Sequence, residues 1–204
     1  ILVFLSSERE IRETAIVIRK RNLVSTEVVP LYSRLRNSEQ AKVFSTHKGR
    51  RIILATNIAE TSITVPGIGY VIDTGLVRIS RYSIQSKVQR LPIESISQAS
   101  ANQRQGRCGR VSNGFCFRLY SESNFNARPL HTDPEITRTN LASVILKILD
   151  LKLGNAESFP YLDKPEKKAI NDGFNLLIEL TAITPKYVLT PIGKEMARLP
   201  VDPK

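Results

Sequence analysis

Short apolar runs alternate with helical patterns over the first 120 residues of the chain, and this alternation constrains the fold more than any other feature. Residues 1–5 are a continuous apolar run, which is typical of a strand buried on both faces. A helix is predicted over residues 8–21, because Ile11, Ala15 and Ile18 share one helical face. The alternation continues through a helical stretch near 38–46 and predicted strands at 27–32, 51–55, 70–73 and 115–120. Such alternation predicts an α/β fold, with a mostly parallel sheet inside three layers.

The composition changes near residue 135, where a second module is predicted. Apolar residues from 141 to 149 form one helical stripe, and a second helix is expected to begin around Pro165, since proline suits a first helical turn. A short strand at 187–190 then leads into an amphipathic segment that ends near Leu199 and Pro200. Helices followed by a small strand pair predict a small, mostly helical winged-helix module.

Two domains are therefore expected, one over residues 1–130 and one over residues 131–204. Within the first, apolar residues flank a polar centre at 81–87, and this pattern predicts a hairpin between Leu76 and Ile93 that projects from the sheet. The chain begins inside a strand-like run without an initiator Met, so it is expected to be part of a longer protein.

The net charge of +11 is unevenly distributed. Residues 1–120 hold 19 Lys or Arg and 8 Asp or Glu, whereas residues 121–204 hold 11 of each kind. A local basic excess suits a polyanionic partner, either nucleic acid or nucleotide phosphate. A basic surface that only keeps the protein soluble explains the charge equally well.

Metal binding and membrane insertion find no support in the sequence. Cys108 and Cys116 have no His nearby, although a zinc site needs about four ligands at short spacings. His47 and His131 are isolated and are expected at the surface. No apolar run approaches the roughly 20 residues of a membrane span. With a disulfide possible but unsupported, a reducing cytoplasm is the expected compartment.

Three arginines recur every three residues, at Arg104, Arg107 and Arg110, with a glycine before each of the last two. On a helix, Arg107 and Arg110 share a face. Arginine is permanently charged and grips phosphate oxygens, so this pair suits the charge that develops on a transferring phosphoryl group. Gln103 is placed to orient an attacking water. The alternative is a sequence-independent RNA contact in a disordered segment, which the strand predicted at 115–120 disfavours.

The strand at 51–55 runs into hydroxyl and amide side chains, including Thr56, Asn57 and Ser62. Such neutral donors hold phosphate oxygens without reading bases. Helix capping is the alternative use of the same residue types. Glu60 is unusual in a phosphate site, and an internal structural contact is its expected role.

Taken together, these segments resemble a known family. In order, they are similar to motifs four, four-a, five and six of superfamily-two DEAH/RHA helicases, at Ile1–Glu10, Pro30–Leu35, Thr56–Thr64 and Gln103–Arg110. Ala55–Thr64 and Ser100–Arg104 are highly specific to that family, and Arg78–Glu94 is most similar to its bacterial HrpA branch. Residues 132–202 resemble the winged-helix segment that follows the motor. The resemblance covers essentially the whole chain and implies a second RecA-like domain.

The resemblance implies nucleotide contacts for five residues. Arg107 and Arg110 would be arginine fingers, and Gln103 would lie beside the γ-phosphate and its water. Ser62 would sense the nucleotide state. Phe44 would stack on the adenine, which tolerates any base, although a place in the core suits this residue nearly as well.

The resemblance also implies contacts with the RNA backbone. Thr56 and Asn57 would grip the strand, and Ser33 and Arg34 lie in a loop similar to a strand-tracking hook. Ser6 and Ser7 stand where motif four usually has Thr-Gly, so backbone contact there is expected with less support from the pattern.

One residue departs from the family pattern and two motifs are missing. Pro66 stands where many relatives carry an Asp that touches the nucleotide. The chain lacks a phosphate-binding Gly-x-x-x-x-Gly-Lys-Ser/Thr loop and an Asp-Glu-x-His sequence. The resemblance therefore implies that ATP, or another NTP, and Mg²⁺ are held mainly by a preceding RecA-like domain. The expected function is 3′→5′ movement along RNA, with DNA left open, and the chain alone would be inactive. The alternative is a stand-alone basic RNA-binding module.

Overall fold

The computed structural model describes residues 1–199, and the chain divides into two compact units. The first unit contains Ile1–Ile79 and Pro92–Thr132. The second contains Ser80–Leu91 and the described residues from Asp133 onward. Pro200, near which the last helix was expected to end, lies outside the described residues, as do the last four residues of the predicted winged-helix module.

The strands fall into one large sheet and two small ones. Within residues 1–199 they are β1 (Leu2–Phe4), β2 (Thr26–Leu31), β3 (Arg50–Ala55), β4 (Tyr70–Asp73), β5 (Leu76–Arg78), β6 (Arg81–Ser83), β7 (Val88–Arg90), β8 (Ile93–Ser95) and β9 (Phe115–Arg118).

The large sheet has the strand order β2-β3-β1-β4-β9, and all its pairs are parallel. This confirms the predicted parallel α/β fold. Strand β1 lies in the middle, with Leu2 opposite Ile53 on one side and Val71 on the other. Its central position explains the continuous apolar run at the start of the sequence, because both faces of β1 are covered.

Helices cover both faces of this sheet. On one face, Val3 and Leu5 pack against Ile11 and Ala15 of the first helix. On the other, Phe4 and its neighbours pack in a cluster that includes Cys108. The helices of the first unit are α1 (Glu8–Lys20), α2 (Asn37–Gln40), α3 (Ile58–Thr61), α4 (Gln98–Gln105) and α5 (Glu122–Asn126). The helical stretch predicted near 38–46 is α2 followed by a 3-10 turn over Ala41–Phe44.

The predicted hairpin between Leu76 and Ile93 is present. Strand β5 pairs antiparallel with β8, and β6 pairs antiparallel with β7. The outer pair belongs to the second unit, where Tyr82 donates a hydrogen bond of 2.7 Å to Asp172. Arg81 and Asp133 form an ion pair of 2.6 Å within the same unit. Sequence periodicity gave no indication of these contacts, which join residues far apart in the chain.

The second unit is mostly helical, as predicted. Its core is formed by Ile145, Leu177 and other apolar residues, and Gly173 fits there because a Cβ would lie 2.7 Å from Ile145. The short strand predicted at 187–190 is wrong in extent, since only an isolated antiparallel bridge joins Ile183 to Leu189. The helices of the second unit are α6 (Glu135–Arg138), α7 (Ala142–Asp150), α8 (Lys167–Glu179) and α9 (Pro191–Arg198).

Candidate functional site

The segment from Thr56 to Ser62 lies at the carboxyl edge of the parallel sheet, directly after β3. Thr56 is half-buried, and Asn57 and Ser62 are exposed. Asn57 occupies the N-cap position of α3, but its side chain makes no capping hydrogen bond. The capping alternative therefore fails for Asn57, and its amide is available to a ligand.

Arg104 is fully buried beneath this segment. Its Nε lies 2.7 Å from Glu60 Oε1, its Nη1 lies 2.7 Å from Asp73 Oδ1, and its Nη2 donates to the carbonyl of Leu76 at 3.0 Å. The guanidinium also lies over the ring of Phe4, 4.8 Å from its centroid. Buried charge is tolerated only when it is paired and hydrogen-bonded, as it is here. Arg104 is thus an internal contact, and the structural role expected for Glu60 is confirmed.

Asp73 closes this network from the side of β4. Its Oδ1 accepts from the backbone N–H of Gly75 at 2.8 Å, and its Oδ2 accepts from Tyr120 at 2.6 Å. Burial, followed by the hydrogen bond to Asp73, raises the pKa of the Tyr120 hydroxyl. Tyr120 therefore stays protonated and serves as a donor to the carboxylate.

Arg107 lies just beyond the end of α4 and has no counterion among residues 1–199. Its Nη2 donates to the main-chain carbonyl of Glu60, whereas Nε and Nη1 are shielded from solvent and have no hydrogen-bond partner among residues 1–199. Burial, and then the nearby charge of Arg110, lowers the pKa of Arg107. Buried donors without acceptors are costly, so Arg107 carries unsatisfied hydrogen-bonding capacity at two of its nitrogens.

Arg110 is exposed and points towards the segment that follows α3. Its Nη1 is 3.5 Å from Thr64 Oγ1, and its Nε donates to the carbonyl of Gly106 at 3.3 Å. The predicted shared helical face of Arg107 and Arg110 is wrong, because α4 ends at Gln105. Gly106 is the C-cap residue of α4. Gly109, in the turn that follows, has a φ of +80°, a left-handed conformation that is incompatible with regular helix.

Gln103 lies on α4 itself and is exposed. The structure therefore places three predicted catalytic side chains, Gln103, Arg107 and Arg110, within one helix end and the turn that follows it.

Phe44 is 53% exposed, whereas the adjacent Val43 is 2% exposed. The alternative that Phe44 is a core residue is therefore wrong. Its ring lines a pocket of about 340 Å³ together with Pro66, Gly67 and Arg50. The same loop contacts Arg110 and lines this pocket. Its Thr64 lies 3.5 Å from Arg110, and its Pro66, two residues later, lines the pocket.

The remaining predicted RNA contacts fall into two groups. Ser33 and Arg34 are exposed in the loop after β2. Ser6 is buried, and both its backbone N–H and its hydroxyl donate to Glu10, at 2.8 and 2.7 Å. Ser7 caps α1 by accepting from the backbone N–H of Glu10. Ser6 and Ser7 thus hold the turn from strand to helix.

The described residues contain no group of three His, Cys, Asp or Glu side chains that is able to hold a metal ion. Among them, no helix combines the length and apolar character that crossing a bilayer requires. His47 and His131 are exposed, as predicted.

Comparison with known proteins assigns the first part of the chain. The family model described as the helicase conserved C-terminal domain matches residues 1–112. The chain belongs to this family. A second model, described as the helicase associated domain (HA2), winged-helix, matches residues 174–201. The predicted resemblance to DEAH/RHA helicases, and to their HrpA branch, is confirmed.

Two bacterial members of the helicase family are similar to the chain along its whole length. The ATP-dependent RNA helicase HrpA of Escherichia coli is 63% identical over 209 residues, which is 100% of this chain and 16% of that protein. The ATP-dependent RNA helicase HrpA homolog of Haemophilus influenzae is 58% identical over 211 residues, again covering 100% of this chain and 16% of that protein. The chain thus spans about a sixth of these relatives.

A solved structure of the helicase family has the same fold. The crystal structure of the Escherichia coli DEAH/RHA helicase HrpB superposes with a TM-score of 0.87 at 30% identity. The superposition covers 99% of this chain and 26% of that one. The predicted fold class, a RecA-like sheet followed by a winged-helix segment, is confirmed.

Sequence reasoning missed the burial of Arg104 and the role of Asp73. Asp73 follows three apolar residues at the end of a predicted strand, in a place where a charge needs a partner. That signal pointed to a buried ion pair, but the sequence offers three arginines in 104–110 and does not indicate which of them is the partner.

Proposed function

We propose that this chain, with residues 1–130 as the second RecA-like domain and 131–204 as a winged-helix segment, forms half of the motor of an ATP-dependent RNA helicase. The observation that carries the proposal is the guanidinium of Arg107, with two shielded donors that find no acceptor among residues 1–199. A phosphate oxygen is the kind of acceptor that such donors bind best. The other half of the nucleotide site would come from a first RecA-like domain of the same protein.

In this proposal Arg107 and Arg110 reach the γ-phosphate when the two domains close, and they stabilise the charge that develops there. Gln103 orients the attacking water, and Ser62 responds to the nucleotide state. Phe44 supplies an exposed ring for the base, which suits any NTP because every base has a π-face.

Magnesium would be bound elsewhere in the motor. Among residues 1–199 no three carboxylates come together in a way that could hold a hard cation. The proposal therefore assigns Mg²⁺ to the first RecA-like domain, and no step performed by this chain depends on it.

RNA would be held by its backbone at the carboxyl edge of the sheet. Thr56 and Asn57 offer neutral donors there, and Ser33 and Arg34 offer an exposed hydroxyl and a positive charge. Ser7 can contact RNA only through groups that its capping hydrogen bond does not use. Ser6 is assigned a structural role and no RNA contact. Closure on ATP changes the spacing between these contacts and those of the other domain, which moves the strand, by resemblance in the 3′→5′ direction. The hairpin from Leu76 to Ile93 would guide or split the strand.

The test uses the full-length protein that contains this chain. Arg107→Ala is expected to lower RNA-stimulated kcat for ATP by about 1,000-fold, the effect of losing an arginine finger, while RNA binding is unchanged. Arg21→Ala is the matched control, because Arg21 is exposed at the C-cap of α1 and belongs to none of the motifs. Unchanged turnover in Arg107→Ala would contradict the role of this residue.

The base contact and the direction have separate tests. Phe44→Ala is expected to raise KM for ATP and GTP alike. Duplexes with a 3′ or a 5′ single-stranded extension report the direction, and only the 3′ extension is expected to support unwinding.

The second candidate function is a stand-alone RNA-binding module, which the basic excess in residues 1–120 favours. It predicts strong binding of RNA by the isolated chain, with an affinity that falls steeply with salt. Both candidates predict no ATP hydrolysis by the isolated chain, so its RNA affinity and the upstream sequence are what distinguish them. A protein without a phosphate-loop lysine upstream of Ile1 would favour the second candidate.

A further inference from the structure

The four-residue helix α3 depends on tertiary contacts for its position. A single turn is too short to be stable by itself, and its N-cap residue makes no side-chain hydrogen bond. Its Glu60 is 7% exposed and is bonded to helix α4. Ser100 Oγ donates to Glu60 Oε2 at 3.0 Å, and Arg104 Nε donates to Oε1 at 2.7 Å. The carboxylate of Glu60 therefore holds α3 against α4.

The main-chain carbonyl of the same residue orients Arg107. Nη2 of Arg107 donates to the carbonyl oxygen of Glu60. A carbonyl carries only a partial charge, so it directs the guanidinium without neutralising it. The positive charge of Arg107 stays available for an anion.

The side-chain carboxylate and the main-chain carbonyl of Glu60 bind two different arginines, which are three residues apart in the sequence. Arg104 binds the carboxylate, and Arg107 binds the carbonyl. If the carboxylate paired with Arg107 instead, the ion pair would cancel the charge that a phosphoryl group needs. Arg104 is held in place from the far side by Asp73, at 2.7 Å, so its position does not depend on Glu60 alone.

From this geometry we infer that Glu60 and Arg104 are positioning residues for Arg107. Glu60 fixes the carbonyl that orients the Arg107 guanidinium, and Arg104 holds the Glu60 carboxylate away from it. Neither residue is assigned a contact with substrate. The inference rests on the proposed function, because it concerns the catalytic role proposed for Arg107.

The test is a double-mutant cycle in the full-length protein, with RNA-stimulated ATP hydrolysis as the readout. Glu60→Gln keeps the size of the side chain but weakens its contact with Arg104. It is expected to lower kcat by about tenfold, the size of a lost hydrogen bond to a charged group, with KM for ATP nearly unchanged. In the Arg107→Ala background the same change is expected to have less than about a twofold effect, because residues that act as a unit are not additive.

Two further variants keep the cycle decisive. Ser100→Ala removes one hydrogen bond from the Glu60 carboxylate. It is expected to lower kcat by a smaller factor than Glu60→Gln, and again only when Arg107 is present. If Glu60→Gln does not fold, the Ser100→Ala cycle tests the positioning role. Tyr120→Phe is the control, since it removes a hydrogen bond to Asp73 and leaves the contacts of Glu60 with Ser100, Arg104 and Arg107 intact. It is expected to lower the melting temperature and leave kcat unchanged.

The outcomes separate this inference from the function on which it rests. A wild-type protein without ATP hydrolysis, or Arg107→Ala with full activity, would overturn both. Loss of activity in Arg107→Ala, with equal effects of Glu60→Gln in the presence and absence of Arg107, would overturn the positioning role alone. A fall in kcat caused by Glu60→Gln only when Arg107 is present supports both the positioning role and the proposed function.

Discussion

Replacing Arg104 with methionine is expected to destabilise the first unit severely. The side chain is fully buried, and its loss removes the ion-pair partner that the carboxylates of Glu60 and Asp73, 7% and 0% exposed, have in this structure. Breaking a buried ion pair by removing one partner costs about 3–5 kcal/mol. The whole stability of a domain is only about 5–15 kcal/mol, so this one change removes a large part of it.

The measurement is urea unfolding of the 204-residue chain, followed by circular dichroism. Arg9→Met is the matched control, because Arg9 forms an ion pair of 2.7 Å with Glu13 while its side chain is 87% exposed. Such surface pairs contribute at most about 1 kcal/mol. Arg104→Lys is expected to fall between the two, since an ammonium is a point charge and lacks the planar fork that reaches both carboxylates. If Arg104→Met lost no more stability than Arg9→Met, the buried network would not stabilise this unit as described.

Three further predictions follow from local geometry. Tyr82→Phe removes the hydroxyl that donates to Asp172 at 2.7 Å, so it is expected to lower the stability of the second unit by about 1.5–3 kcal/mol in urea unfolding; no change would show that this contact is not stabilising. Gly75→Ala is expected to cost more than Gly154→Ala in the same assay. Both have positive φ, +74° and +97°, but only at Gly75 would the new Cβ meet neighbouring side chains, as close as 2.5 Å. Burial raises the pKa of Cys116 to about 11, so its alkylation should be slow at pH 8 and accelerate up to about pH 11; a rate already maximal at pH 9 would contradict this.

Much of the fold could be predicted because it depends on local patterns. The continuous apolar run at residues 1–5 and the alternation that follows reflect which faces of each strand and helix are buried, and this information lies within a few adjacent residues. The motif residues were identified for a similar reason, since spacing and residue type within Thr56–Thr64 and Gln103–Arg110 are visible in the sequence. By themselves, the local apolar patterns determined the fold class and the motif residues determined the family.

The tertiary structure decided which of the chemically similar residues serve the site. Arg104 and Arg107 differ by three positions, yet one is fully buried and the other keeps two donors without acceptors among residues 1–199. The difference arises because Glu60 and Asp73, 44 and 31 residues away, meet Arg104 when β4 and α3 pack against α4. Contacts between such distant residues depend on the whole chain, and no local pattern encodes them.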